Sequence, residues 1–205
     1  MLRIRASLCW VGAVLLFSTA GCHEKPPDPP AGSSGESRAG SPERPGFGGD
    51  FSLTNQDGQT FHLQDVRGKV VLLFFGYTSC PDMCPTTMSR IVSALDRVGD
   101  KRSQVLTLFV SVDPKRDTPA ALKEYVTSFN TPLVGLTGTP EQIAQVAAKY
   151  HASYEFVQTD SPNYLVNHTT AIFLIDQEGQ LRQYFAYDES PDRLAAAVGA
   201  VLKGN

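Results

Sequence analysis

Two unbroken apolar runs, Val70 to Phe75 and Val105 to Val112, stand out along the chain. Runs of this length without polar alternation suit central strands buried on both faces. Between them Met88, Ile91, Val92, Leu95 and Val98 recur at helical spacing, which predicts one buried helix stripe. Upstream, Phe51-Ser52-Leu53 and Thr60-Phe61-His62-Leu63 alternate around Asp57-Gly58 and predict an N-terminal β-hairpin. Downstream, Thr118-Pro119, Thr139-Pro140 and Ser190-Pro191 each place a hydroxyl N-cap before a proline at the first helical position. Each opens a helix, with stripes at Leu122, Tyr125, Val126 and Phe129, at Ile143, Val146, Ala147 and Tyr150, and at Leu194, Val198, Val201 and Leu202. Further strands are expected at Leu133 to Leu136, Tyr154 to Val157, Thr170 to Asp176 and Leu181 to Tyr187, the last two joined by a turn at Glu178-Gly179-Gln180. Residues Asp160 to Asn167 read as a polar loop closed by His168. Strands alternating with helices and ending in a hairpin and a helix predict an α/β sandwich, a mixed central sheet with helices on both faces.

The ends of the pattern differ from its middle. Residues 1–21 combine Arg3 and Arg5, an apolar run from Ala6 to Phe17 and a small-residue ending, which predicts a secretory signal. The apolar run is shorter than the roughly 20 residues of a spanning helix. The ending resembles a bacterial lipoprotein signal with Cys22 as the lipidated residue, against simple cleavage or an uncleaved anchor as alternatives. Residues 22–49 are dominated by Pro, Gly, Ser and charge, with Phe47 the single aromatic, and predict a disordered tether. The body is then residues 50–205, exported, membrane-anchored through lipid and facing the bacterial periplasm.

Charge narrows the function. The 18 basic and 21 acidic residues are spread without a basic run, so no nucleic-acid role is expected. Of the four cysteines, Cys9 and Cys22 lie in the N-terminal segment, which leaves Cys80 and Cys84 as the thiols of the body.

These two sit at a strand-to-helix turn, Thr78-Ser79-Cys80-Pro81-Asp82-Met83-Cys84-Pro85. A helix starting near Cys84 would favour thiolate at both positions through its free N–H groups and dipole. The spacing lets the sulfurs bond each other as a disulfide or hold one ion between them. As an inert staple such a short loop would stabilise little. A metal needs a third donor. His23 lies in the tether, His62 on the hairpin and His151 at a helix end, whereas His168 precedes the apolar strand Ala171 to Ile175, where strand-end loops converge. Two thiolates and one imidazole suit copper; zinc would want a fourth ligand, for which Met83 is weaker than solvent or Asp113.

At this point three motifs coincide. Phe74 to Pro85, Ser111-Val112-Asp113-Pro114-Lys115-Arg116-Asp117-Thr118-Pro119 and Tyr164-Leu165-Val166-Asn167-His168-Thr169 together resemble the SCO/SenC family of cytochrome oxidase assembly proteins, across the body from about Phe51. The resemblance implies a thioredoxin-like fold in which Cys80, Cys84 and His168 bind one copper ion as Cu(I) or Cu(II). It further implies an accessory acidic position at Asp113. Asn167 departs from the aspartate often found before the ligand histidine. The implied task is a metallochaperone's, assembly of the dinuclear copper centre of cytochrome c oxidase, with subunit II or another periplasmic copper protein as partner. The alternative is an enzyme, a thiol–disulfide oxidoreductase in which Cys80 and Cys84 attack and resolve. Against it stand the spacing longer than C-x-x-C and the absence of a proline before Thr170.

Overall fold

A computed structural model describes residues 46–158 and 164–204 of the 205-residue chain. The signal, Cys9, Cys22, His23 and most of the tether lie outside the described residues, as does Asp160 to Asn163 of the expected loop.

The two apolar runs become β3 (Val70–Gly76) and β4 (Val105–Ser111), every residue of both buried. They pair in parallel, Val70 opposite Val105 through Gly76 opposite Ser111, and so end together at one edge of the sheet. Around them runs a seven-stranded mixed sheet in the order β2-β1-β5-β4-β3-β8-β9. Here β1 is Ser52–Asn55, β2 is Thr60–His62, β5 is Leu133–Thr137, β8 is Ile172–Ile175 and β9 is Leu181–Phe185. The predicted hairpin is β1–β2, antiparallel, closed by Asn55 with Gly58 at φ 76°. The predicted terminal hairpin is β8–β9, with Gly179 at φ 77° in its turn.

Among the described residues four α-helices flank the sheet: α1 (Met83–Val98), α2 (Pro119–Thr127), α3 (Pro140–Lys149) and α4 (Pro191–Val201). Helix α1 buries Met88, Ile91 and Leu95 and packs against α4, α2 lies on β5, and α3 meets β1. Each hydroxyl-proline signal is an N-cap: Thr118, Thr139 and Ser190 accept from the backbone N–H three residues on. Thr139 and Gln142 form a full capping box. His151 follows α3 at φ 49°, the left-handed conformation common just past a helix end. The mixed sheet flanked by helices is the thioredoxin-like arrangement expected from sequence.

Two features depart from expectation. The stretch read as loop up to His168 contains β7 (Leu165–His168), which pairs antiparallel with β6 (Tyr154–Val157) as a separate two-stranded sheet. Only Val166 of β7 is buried, so no alternation marked it as a strand. In addition, packing begins ahead of Asp50. The Phe47 ring lies 4.8 Å from His151 and edge-on to Phe173 and Tyr184, and Gly48 N–H donates to Lys149 O at 2.7 Å.

Candidate metal centre

The site grows from the shared C-terminal edge of β3 and β4. Beyond Gly76 the chain turns, Cys80 N–H donating to Tyr77 O at 3.2 Å, and enters α1 at Met83. Gly76 lets this turn sit close: a Cβ there would stand 2.7 Å from the Phe109 ring and 3.0 Å from Cys84 Sγ. Cys84 is fully buried on the first turn of α1, while Cys80 is half-buried in the loop. Both are free thiols.

Their environments pull them apart. The hydrogen bond from the Cys84 thiol is the main cause that lowers Cys80 to a pKa of about 3, against the opposing effect of burial, with His168 and the Cys84 N–H assisting. The same shared proton, then burial, pushes Cys84 well above the usual thiol range. The expectation of thiolate at both positions is therefore corrected. The start of α1 serves Cys80 through the Cys84 N–H at 3.4 Å, while a sulfur with no exposure keeps its proton until something replaces it.

His168 ends β7 and turns inward between two rings, edge-to-face with Tyr77 at 5.8 Å and Phe74 at 6.0 Å. Its Nδ1 lies 3.0 Å from Thr169 O and its Nε2 lies 3.4 Å from Cys84 Sγ. A carbonyl only accepts, so Nδ1 carries a proton, and Nε2 is the nitrogen that faces the sulfurs. A backbone carbonyl on the far nitrogen is the usual outer-shell arrangement of a metal-ligating histidine. The donor atoms of Cys80, Cys84 and His168 all lie within 4.8 Å of one another, a group of the size and chemistry that holds one soft ion.

The other residues singled out from sequence lie elsewhere. Asp113 is fully buried, but its carboxylate is occupied by Arg116 Nε and by Tyr164 Oη at 2.7 Å, so no oxygen stands free as a fourth donor. Asn167 is exposed and lies opposite Glu155 in the β6–β7 ladder. His62 bonds Ser52 Oγ on the first hairpin.

Sequence reasoning missed Asp117. Fully buried, it accepts from Thr78 N–H at 2.9 Å, Thr78 Oγ1 at 2.6 Å and Ser111 Oγ at 2.6 Å, which ties the head of the cysteine loop to the end of β4. Burial holds its carboxyl above the ordinary value, and the three hydrogen bonds oppose that rise. Its signal was available: an aspartate directly before a helix N-cap that the cap itself did not need.

A thioredoxin-like α/β domain with a strand-to-helix dithiol and one imidazole across from it defines a class, soft-metal thiol proteins of extended C-x-x-x-C spacing. The comparisons place the chain within that class: it belongs to the SCO1/SenC family, whose model matches residues 39–203. It is 38% identical over 161 residues to an SCO2-like protein of Rickettsia felis, covering 78% of this chain and 77% of that one. The ScoI structure of Bradyrhizobium japonicum with copper bound is similar at TM-score 0.69 and 39% identity, over 76% of this chain and 99% of that chain. The copper-bound ScoI of Arabidopsis thaliana is similar at TM-score 0.73 and 34% identity, over 78% and 99%. Among the described residues no helix is long and apolar enough to cross a membrane.

Proposed function

We propose that this protein is a copper metallochaperone that carries one copper ion on Cys80, Cys84 and His168 and yields it to an apo copper protein. The observation that carries this reading is the convergence of three donors within 4.8 Å: His168 Nε2, its ring oriented by the Thr169 carbonyl, faces Cys84 Sγ beside a Cys80 thiolate. Cargo binding takes up the Cys84 sulfur as thiolate and releases its proton, so apparent affinity rises with pH. Transfer proceeds by exchange of donors, and half-exposed Cys80 is the sulfur an incoming thiolate meets first. The implied acceptor is the dinuclear copper centre of cytochrome c oxidase subunit II or another periplasmic copper protein, and lipid on Cys22 would hold the domain at the membrane that bears it. Asp113 enters as an accessory residue, acting through its neighbours and not as a donor.

A second reading is favoured by one observation, the asymmetry of the thiols. An accessible thiolate beside a buried thiol is the arrangement of an attacking and a resolving cysteine. Cys80 would attack a target disulfide and release one target thiolate. Cys84 would then displace the second target sulfur, leaving a Cys80–Cys84 disulfide and a target reduced by two electrons.

The test is a competitive Cu(I) titration of the reduced protein against a chromophoric chelator, with Cys80→Ser, Cys84→Ser and His168→Ala alongside. One copper per chain, weakened sharply by each substitution, is expected. A His168→Ala variant that binds copper like the parent while the cysteine variants lose disulfide-reducing activity would overturn the chaperone reading for the enzyme.

A further inference from the structure

Three side chains outside the donor set join the two halves of the site. Asp113 and Arg116 lie in the loop after β4, and Tyr164 directly precedes β7. Tyr164 Oη donates to Asp113 Oδ1 at 2.7 Å, and Arg116 Nη1 donates to Tyr164 O at 2.9 Å. The guanidinium carbon stands 3.8 Å from the centroid of the Tyr164 ring and 5.4 Å from that of Tyr77. Arg116 Nε also donates to Asp113 Oδ2. The strand carrying His168 is thus gripped at its entry by backbone, hydroxyl and ring together.

The grip is anchored in the rigid part of the molecule. Asp113 N–H donates to Ser111 Oγ at 3.0 Å, and Ser111 Oγ donates to Asp117, which accepts from Thr78 at the head of the cysteine loop. A continuous set of hydrogen bonds therefore runs from the thiol loop to the first residue before β7. The hairpin is otherwise held by Val166 in the core and by His168 between the Tyr77 and Phe74 rings. It is a two-stranded sheet, of a size marginal by itself in water, with Phe156 and Leu165 exposed at 46% and 42%.

We propose that Asp113, Arg116 and Tyr164 are the positioning residues of the third ligand. They set where the His168 imidazole stands relative to the two sulfurs, and so adjust copper affinity while leaving the dithiol chemistry untouched. Charge-assisted bonds and a guanidinium stacked on a ring have the directionality to do this. The inference deepens the copper reading and depends on it for its affinity readout, but the placement of His168 is a property of the copper-free protein as well.

The experiment uses the full chain in detergent, with Tyr164→Phe and Arg116→Lys as conservative variants. Tyr164→Phe removes one oxygen and keeps the ring over Arg116; Arg116→Lys keeps the charge and loses the plane. Each is expected to weaken Cu(I) binding roughly tenfold, the low end for an outer-shell change, with the midpoint of the Cys80/Cys84 couple in glutathione buffers unchanged. In the His168→Ala background, Tyr164→Phe should add no further loss, since it acts only through the imidazole. Parent-like affinity of Tyr164→Phe, or losses that multiply with His168→Ala, overturns the proposal. A parent that binds no copper refutes the chaperone reading alone. The positioning claim is then decided by the His168 ring resonances of the copper-free protein: a shift or broadening in Tyr164→Phe upholds it, and unchanged resonances sink it.

Discussion

The two halves of the site are built to different standards. The thiol half belongs to the main sheet: Cys84 has no exposed surface, Gly76 and Phe109 close around its sulfur, and Asp117 ties the loop to β4 through three hydrogen bonds. The imidazole half stands on a separate two-strand hairpin in which only Val166 of β7 is buried. Chemistry that needs only sulfur therefore rests on the rigid part. Chemistry that needs all three donors depends on how firmly a lightly packed element is held. Metal affinity and thiol reactivity should be separable by mutation for this reason.

The sharpest test lies within the thiol half. Reduced protein treated with iodoacetamide at pH 6 should be alkylated at Cys80 and not Cys84, by on the order of a hundredfold in rate. With Cys80 lowered to about 3, its labelling should stay nearly flat as pH falls toward 4. Equal labelling of both, read by peptide mass spectrometry, would remove the asymmetry.

Asp117→Ala should cost about 2–3 kcal/mol in urea unfolding, because it strands the buried Thr78 N–H and Ser111 hydroxyl. The pH dependence has a definite sign. Burial raises the Asp117 carboxyl, so its contribution is fully present below the ordinary value of 3.8 and is lost as pH rises through the raised one. Asp117→Asn should flatten the decline in stability over that window, and a variant with the parent's slope would locate the titration elsewhere.

Gly76→Ala comes next, at about 1–3 kcal/mol from overpacking against Phe109 and Cys84 Sγ. It should also slow the second, resolving step at Cys84 in stopped-flow disulfide exchange more than the first attack at Cys80. The smallest effect belongs to the hairpin surface. Phe156→Ser should change stability by no more than about 0.5 kcal/mol, since the ring is nearly half exposed. A large loss in thermal unfolding would show the hairpin to be as firmly built as the sheet.

What the residues disclosed before folding follows the same division. Strands β3 and β4 were legible because a strand buried on both faces writes itself as unbroken Val, Leu and Phe. Helices α2, α3 and α4 were legible because Thr118, Thr139 and Ser190 act locally, each within one turn of its own helix. Cys80, Cys84 and His168 were legible as chemistry and are brought together. Strand β7 was not, because one buried residue in four gives no period to read. The inequality of the two thiols was hidden too, since it arises from the depth of Cys84 beneath Gly76 and not from spacing. Asp117 left only the faint mark of an aspartate before a cap that did not need it, because its partners, Thr78 in the cysteine loop and Ser111 at the end of β4, meet it only in the folded chain.

The hydrogen bond that fixes the His168 tautomer has a further consequence. Where a carboxylate side chain holds the far nitrogen of a histidine, a single codon change removes the restraint. Here the acceptor is the carbonyl of residue 169 itself, and every amino acid that might replace Thr169 brings the same carbonyl. The acceptor that orients the donor ring is thereby carried by the main chain and not by a replaceable side-chain group. What residue 169 must preserve is the path of the backbone, which the Thr169 hydroxyl helps to set by accepting from Ser153 N–H at 3.0 Å.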